Sequence, residues 1–132
     1  MHPTVCVDAS LILRILVPEP LTEQALALWG AWQQEQRAAI APSLLAFEVT
    51  ASLRRYVYLK RITPAQGEQA FAQFLQMEIH LSQRPALFRL AWELAKQFNQ
   101  SRAYDFWTAD RKLYTAVRGH LPWVHWVGET PA

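Results

Sequence analysis

A single cysteine, Cys6, stands in a chain of 132 residues. One thiol excludes an intramolecular disulfide, and its place between Val5 and Val7 predicts a small buried side chain and not a reactive nucleophile. Strong charge of either sign is missing too. Thirteen Lys plus Arg against eleven Asp plus Glu leave a formal charge of +2, too little by itself to announce a nucleic-acid partner. No apolar run approaches the ~18 residues that span a bilayer, and the amino terminus has no basic segment leading into a long apolar core. These absences predict a soluble, non-exported, cytoplasmic protein. Repeats, linkers and low-complexity tracts are also lacking. With 52% hydrophobic residues, the chain suffices for one core and not for two, so residues 1–132 are read as one domain.

What is present alternates between two periodicities. Thr4-Val5-Cys6-Val7 is a short β-branched run ending at Asp8, and Ala9 to Leu16 follows as a short helix that stops before Pro18 and Pro20. From Leu21 to about Gln36, apolar Ala25, Leu28, Trp29 and Trp32 recur at helical spacing. Ala38 to Ala41 is a strand closed by Pro42, and Ser43 is placed to cap a helix running through Glu48 toward Lys60. Thr63, Pro64 and Gln66 form a capping box around a proline at the first helical position, opening a helix with Phe71, Phe74 and Leu75 on its buried face. Glu78 to Leu81 reads as a strand, Leu87 to Phe98 as a helix, Phe106 to Thr108 as a strand stopping at Asp110, Arg111 to Val117 as a helix, and Trp123 to Val127 as a last strand. Strands separated by helices predict an α/β fold, a parallel sheet of about five strands flanked by helices in three layers.

In such sheets ligands collect at the carboxyl ends of the strands. Asp8 ends the first strand, Asp110 ends the fourth, and Glu48 lies in the helix after the second. Like charges gathered at one rim raise one another's pKa unless a cation sits among them. Oxygen ligands without clustered cysteine or histidine favour Mg2+ or Mn2+ over zinc. The plainer reading is that Asp8 and Asp110 each cap the helix that follows. His80 and His125 lie in strand candidates with no partner at metal-ligand spacing, and the six tryptophans are read as core more than as base-stacking platforms.

Val7-Asp8-Ala9-Ser10, Ser43-Leu44-Leu45-Ala46-Phe47-Glu48-Val49, Ala103-Tyr104-Asp105 and Trp107-Thr108-Ala109-Asp110-Arg111-Lys112-Leu113 resemble, in order, the four acidic motifs of PIN-domain nucleases. The likeness is greatest to the toxin ribonucleases of bacterial toxin-antitoxin pairs. The resemblance implies a Mg2+- or Mn2+-dependent ribonuclease, a homodimer held silent by an antitoxin protein. It implies Asp8, Glu48, Asp105 and Asp110 as metal-binding acids and Ser10 as a polar neighbour steadying Asp8. Arg14 and Arg111, nearest these acids in sequence, are the expected phosphate contacts.

The chain departs from the family pattern between the third and fourth motifs, where only Phe106 to Ala109 intervene and on the order of a dozen residues, one ordinary helix, are absent. An extended path from Asp105 to Asp110 spans roughly 16 Å, five steps at ~3.3 Å. The expected site is therefore Asp8, Glu48 and Asp110, with Asp105 displaced, weaker metal binding and reduced or absent cleavage. The same shortening implies a rearrangement or an exchange between protomers near residues 99–107. It also favours a competing reading, a degenerate non-catalytic member acting as a dimerisation or antitoxin-binding module.

Overall fold

A computed structural model describes residues 4–82, 105–119 and 124–129. Five strands, β1 (Thr4–Val7), β2 (Ala38–Pro42), β3 (Ile79–Ser82), β4 (Asp105–Thr108) and β5 (Val124–Trp126), form one sheet in the order β3-β2-β1-β4-β5. Every pairing is parallel. The fold is thus α/β, with the all-parallel sheet flanked by helices, as the alternation of periods predicts. The expected helix from Leu87 to Phe98, Trp92, Trp123, His2 and His120 lie outside the described residues, as do residues 99–104 of the shortened segment.

The helices are α1 (Ala9–Leu16), α2 (Thr22–Gln34), α3 (Leu44–Tyr58), α4 (Pro64–Gln76) and α5 (Arg111–Val117), with a 3-10 turn over Val127–Glu129. Helix α1 is nearly all apolar because it lies in the middle of the molecule. Leu11, Ile12, Leu13, Ile15 and Leu16 are all buried, and α1 packs on α2, α3 and α4. Alternation along the strands sends Val5, Val7, Ala39 and Ala41 into the same core as α1, together with Leu45, Val49, Leu53, Ala70 and Phe74. Cys6, Ile40 and Phe106 make a separate cluster on the other face. A Leu or Ile fully withdrawn from water contributes about 1.5–3 kcal/mol, so α1 is the chief apolar anchor of the fold. Burial also pushes the Cys6 thiol up to about 12, with the Asp8 charge adding to the effect, which leaves it unreactive.

Two local expectations are corrected. Ser43 occupies the cap position of α3 but has helical backbone angles and makes no capping hydrogen bond through its side chain. Leu75 is 66% exposed: the inward stripe of α4 is Gly67, Ala70 and Phe74, with Phe71 packed beside it, and Leu75 is rotated about 100° past Phe74. The capping box of α4 is present as expected, with the Gln66 N–H donating to Thr63 Oγ1 at 3.1 Å and the Thr63 N–H donating to Gln66 Oε1 at 2.8 Å. Among the described residues, no helix is long and apolar enough to cross a membrane.

Candidate functional site

From β1 the chain adds β2 and then β3 on one side, and afterwards β4 and β5 on the other. The direction reverses between β1 and β4, and parallel sheets open a crevice beyond the carboxyl ends of the strands at such a point. Register decides which side chains meet there. Val7 pairs with Trp107, so one step further Asp8 stands beside Thr108.

Asp8 is the N-cap of α1. Its Oδ1 accepts the Leu11 N–H at 3.0 Å and the Ser10 hydroxyl at 2.7 Å. Its Oδ2 accepts the hydroxyl of Thr108, 100 residues away in sequence, at 2.5 Å. The Thr108 oxygen in turn accepts the Asp110 N–H at 2.9 Å, and Ser10 Oγ accepts the Ala109 N–H at 3.1 Å. Each hydroxyl has one proton and both protons are given to Asp8, so the 3.3 Å approach of Ser10 Oγ to Thr108 Oγ1 is a contact without a proton of its own. The start of α1 and the end of β4 are stitched together by this network, and Thr108 is fully buried in it.

Asp110 is exposed and caps α5, its Oδ1 accepting the Leu113 N–H at 3.1 Å. Both strand-end acids are therefore caps, as the plainer reading has it. Burial pushes the Asp8 carboxyl above the ordinary range and the Asp110 charge adds to that push, while the donors Thr108, Ser10 and the Leu11 N–H oppose it. An acid raised by burial and by a neighbouring acid gains most from a cation beside it.

The other expected site residues are distributed differently. Glu48 is exposed on the second turn of α3. Asp105 opens β4 and pairs with Val5, so its backbone lies about 10 Å, three strand steps, from that of Thr108 toward the amino edge. Arg14 is six residues along α1 from Asp8, and its guanidinium is bound by Glu19 at 2.7 Å; it does not join the group. Arg111, exposed and next to Asp110, lies with its guanidinium over the Trp126 ring, 5.3 Å from the centroid. Thr108 is the residue that sequence reasoning omits from the site. A hydroxyl ending an otherwise apolar strand, between Trp107 and Ala109, is the only trace it leaves in the sequence.

Among the described residues, no three His, Cys, Asp or Glu side chains are grouped to hold a metal ion. Carboxylate oxygen, the donor type at the switch point, is the kind a hard cation prefers. Asp8 Oδ2 has a single hydrogen-bond donor, and Asp110 Oδ2 has none among the described residues. Mg2+ is commonly held by one or two carboxylates, with water and substrate phosphate completing its shell. No protein-family model matches the chain, and no curated protein matches it.

Proposed function

We propose that this chain is a metal-dependent ribonuclease of the PIN type, hydrolysing RNA phosphodiesters at the carboxyl edge of the sheet. The observation that carries the reading is the joining of Asp8 to the Asp110 backbone through Thr108 at the topological switch point. The four motifs quoted above extend it to the toxin of a toxin-antitoxin pair, with an antitoxin and a second copy of the chain as partners.

Asp8 and Asp110 would hold a Mg2+ or Mn2+ ion, with Glu48 as the further acid. Such an ion supplies positive charge against the phosphate and lowers the pKa of water. The residues of the chain do the rest. Ser10 and Thr108 direct both hydroxyl protons at Asp8 and so favour its ionised form. Glu48, exposed and without a hydrogen bond or ion pair among the described residues, is the carboxylate available to take a proton from the attacking water.

Titration with Mn2+ by calorimetry, alongside long incubation with single-stranded RNA, tests the reading. Binding and cleavage by the wild type, both lost in Asp8→Asn, are expected. An absence of binding at millimolar Mn2+ together with intact RNA would remove it.

One observation favours the non-catalytic alternative. The described residues hold no group of three or more His, Cys, Asp or Glu side chains, while α3 leaves Phe47 73% and Tyr58 83% exposed, with Leu44 also on its surface. Large side chains left in water on one helix suit a partner-binding surface. If that reading holds, Phe47→Glu breaks the oligomer, read by light scattering, and the protein has no nuclease activity to lose.

A further inference from the structure

Beside Asp110, a helix and a 3-10 turn converge on one indole. Trp126 ends β5 and pairs in register with Thr108, which puts its ring at the same rim as the acids. From α5, Tyr114 stacks on it with centroids 6.1 Å apart and planes at 24°, and the Arg111 guanidinium lies over it at 5.3 Å. From the 3-10 turn, Gly128 presses its backbone against the ring: a Cβ there would stand 2.3 Å from the indole, so only glycine allows this approach. The Trp126 indole N–H has no hydrogen-bond partner among the described residues. Ring and backbone contacts, and no hydrogen bond among the described residues, thus hold the ring.

Two acids on these elements have hydrogen-bond donors of their own. Glu129 accepts the Tyr114 hydroxyl at 2.5 Å, and Asp110 accepts the Leu113 N–H. Among the described residues Arg111 has no ion pair, so at the rim its guanidinium rests on an aromatic face. A guanidinium laid on an aromatic face keeps its N–H edge for bidentate contact with an anion.

We propose that Trp126 is a positioning residue that parks Arg111 beside the acidic rim as a phosphate-binding group for single-stranded RNA. The inference rests on the ribonuclease reading for its ligand, but it concerns binding and can be separated from cleavage. Each phosphate contact on a single strand contributes about 0.7 to the slope of log Kobs against log salt. Fluorescence anisotropy of a labelled 12-nucleotide RNA with the full chain in EDTA measures that slope. Arg111→Ala is expected to reduce its magnitude by about 0.7, Trp126→Leu by the same amount, and the double variant by no more than either. Trp126→Phe, which keeps a ring face, should retain most of the slope.

A wild-type slope in Arg111→Ala, or in a folded Trp126→Leu, overturns the proposal, as does failure of the wild type to bind RNA in EDTA. A second measurement does not depend on the Trp126 variants folding. The Arg111 Nε–H resonance, identified by its loss in Arg111→Ala, should move when RNA is added to the wild type; an unmoved resonance also overturns the proposal. A chain that binds with the expected slope and never cleaves with Mn2+ ends the nuclease reading and leaves this inference standing. Cleavage with an Arg111-independent slope does the reverse.

Discussion

Asp8 shows how one residue can be a cap, a network hub and a stored electrostatic cost together. Burial raises its carboxyl, so the folded state holds that proton to higher pH than the unfolded chain. Its contribution to stability is therefore fully present below the ordinary carboxylate pKa and is lost as pH rises through the raised value. Asp8→Asn removes the titration. Urea midpoints of the two proteins should move in favour of Asn as pH rises from the ordinary carboxylate range toward neutrality; a difference independent of pH would show that the three donors cancel burial, and one moving in favour of Asp that they outweigh it. Thr108 is the companion case. Thr108→Val keeps the shape, deletes the proton given to Asp8 and leaves the Asp110 N–H without its acceptor. A loss of about 1–3 kcal/mol is expected from denaturant unfolding, with Thr108→Ser losing less because its hydroxyl can make both bonds.

At the scale of elements, capping separates a helix start whose cap is legible in the sequence from one whose cap is not. Thr63, Pro64 and Gln66 announce α4 because every group of a capping box lies within four residues. Ser43 has the right residue type at the right place, yet the turn from Pro42 into α3 already gives it helical angles, which take its hydroxyl out of capping geometry. Helix α5 has seven residues, too few to persist without its cap and its packing. Asp110→Ala should cost about 1 kcal/mol through loss of the Leu113 bond, read as a shift in urea midpoint. Asp110→Asn keeps an oxygen for the cap and removes the charge. Retained stability with lost Mn2+ binding in Asp110→Asn would separate the two roles of this residue, whereas unchanged Mn2+ affinity would remove Asp110 from the proposed metal site.

For the whole molecule, the reversal of strand order between β1 and β4 is what converts two local caps into one electrostatic unit. A cation bound only by the native state stabilises it by mass action, by about 2.7 kcal/mol at a hundredfold excess over Kd. Mn2+ should raise the melting temperature of the wild type and leave that of the Asp8→Asn, Asp110→Asn double variant unmoved. Equal shifts in both would place any bound ion elsewhere. The core that supports this edge is concentrated on α1, where Ile12 is fully buried. Ile12→Ala should cost about 2–5 kcal/mol in denaturant unfolding and loosen the Asp8 network, since both belong to the same two turns of helix.

By itself the sequence determined the α/β class, the order of the elements and the capping of α4, because each depends on side chains a few positions apart: a 2-residue or 3.6-residue period, a proline stop, a box of four residues. It also located Asp8 and Asp110 at strand ends, where capping and ligand binding look alike. The tertiary structure alone decided that Thr108 closes the network on Asp8 and that Trp126 receives Arg111. Those partners lie on separate elements, and their meeting depends on strand order and register. Short-range patterns encode neither, because a strand presents the same alternating faces whichever neighbour it pairs with.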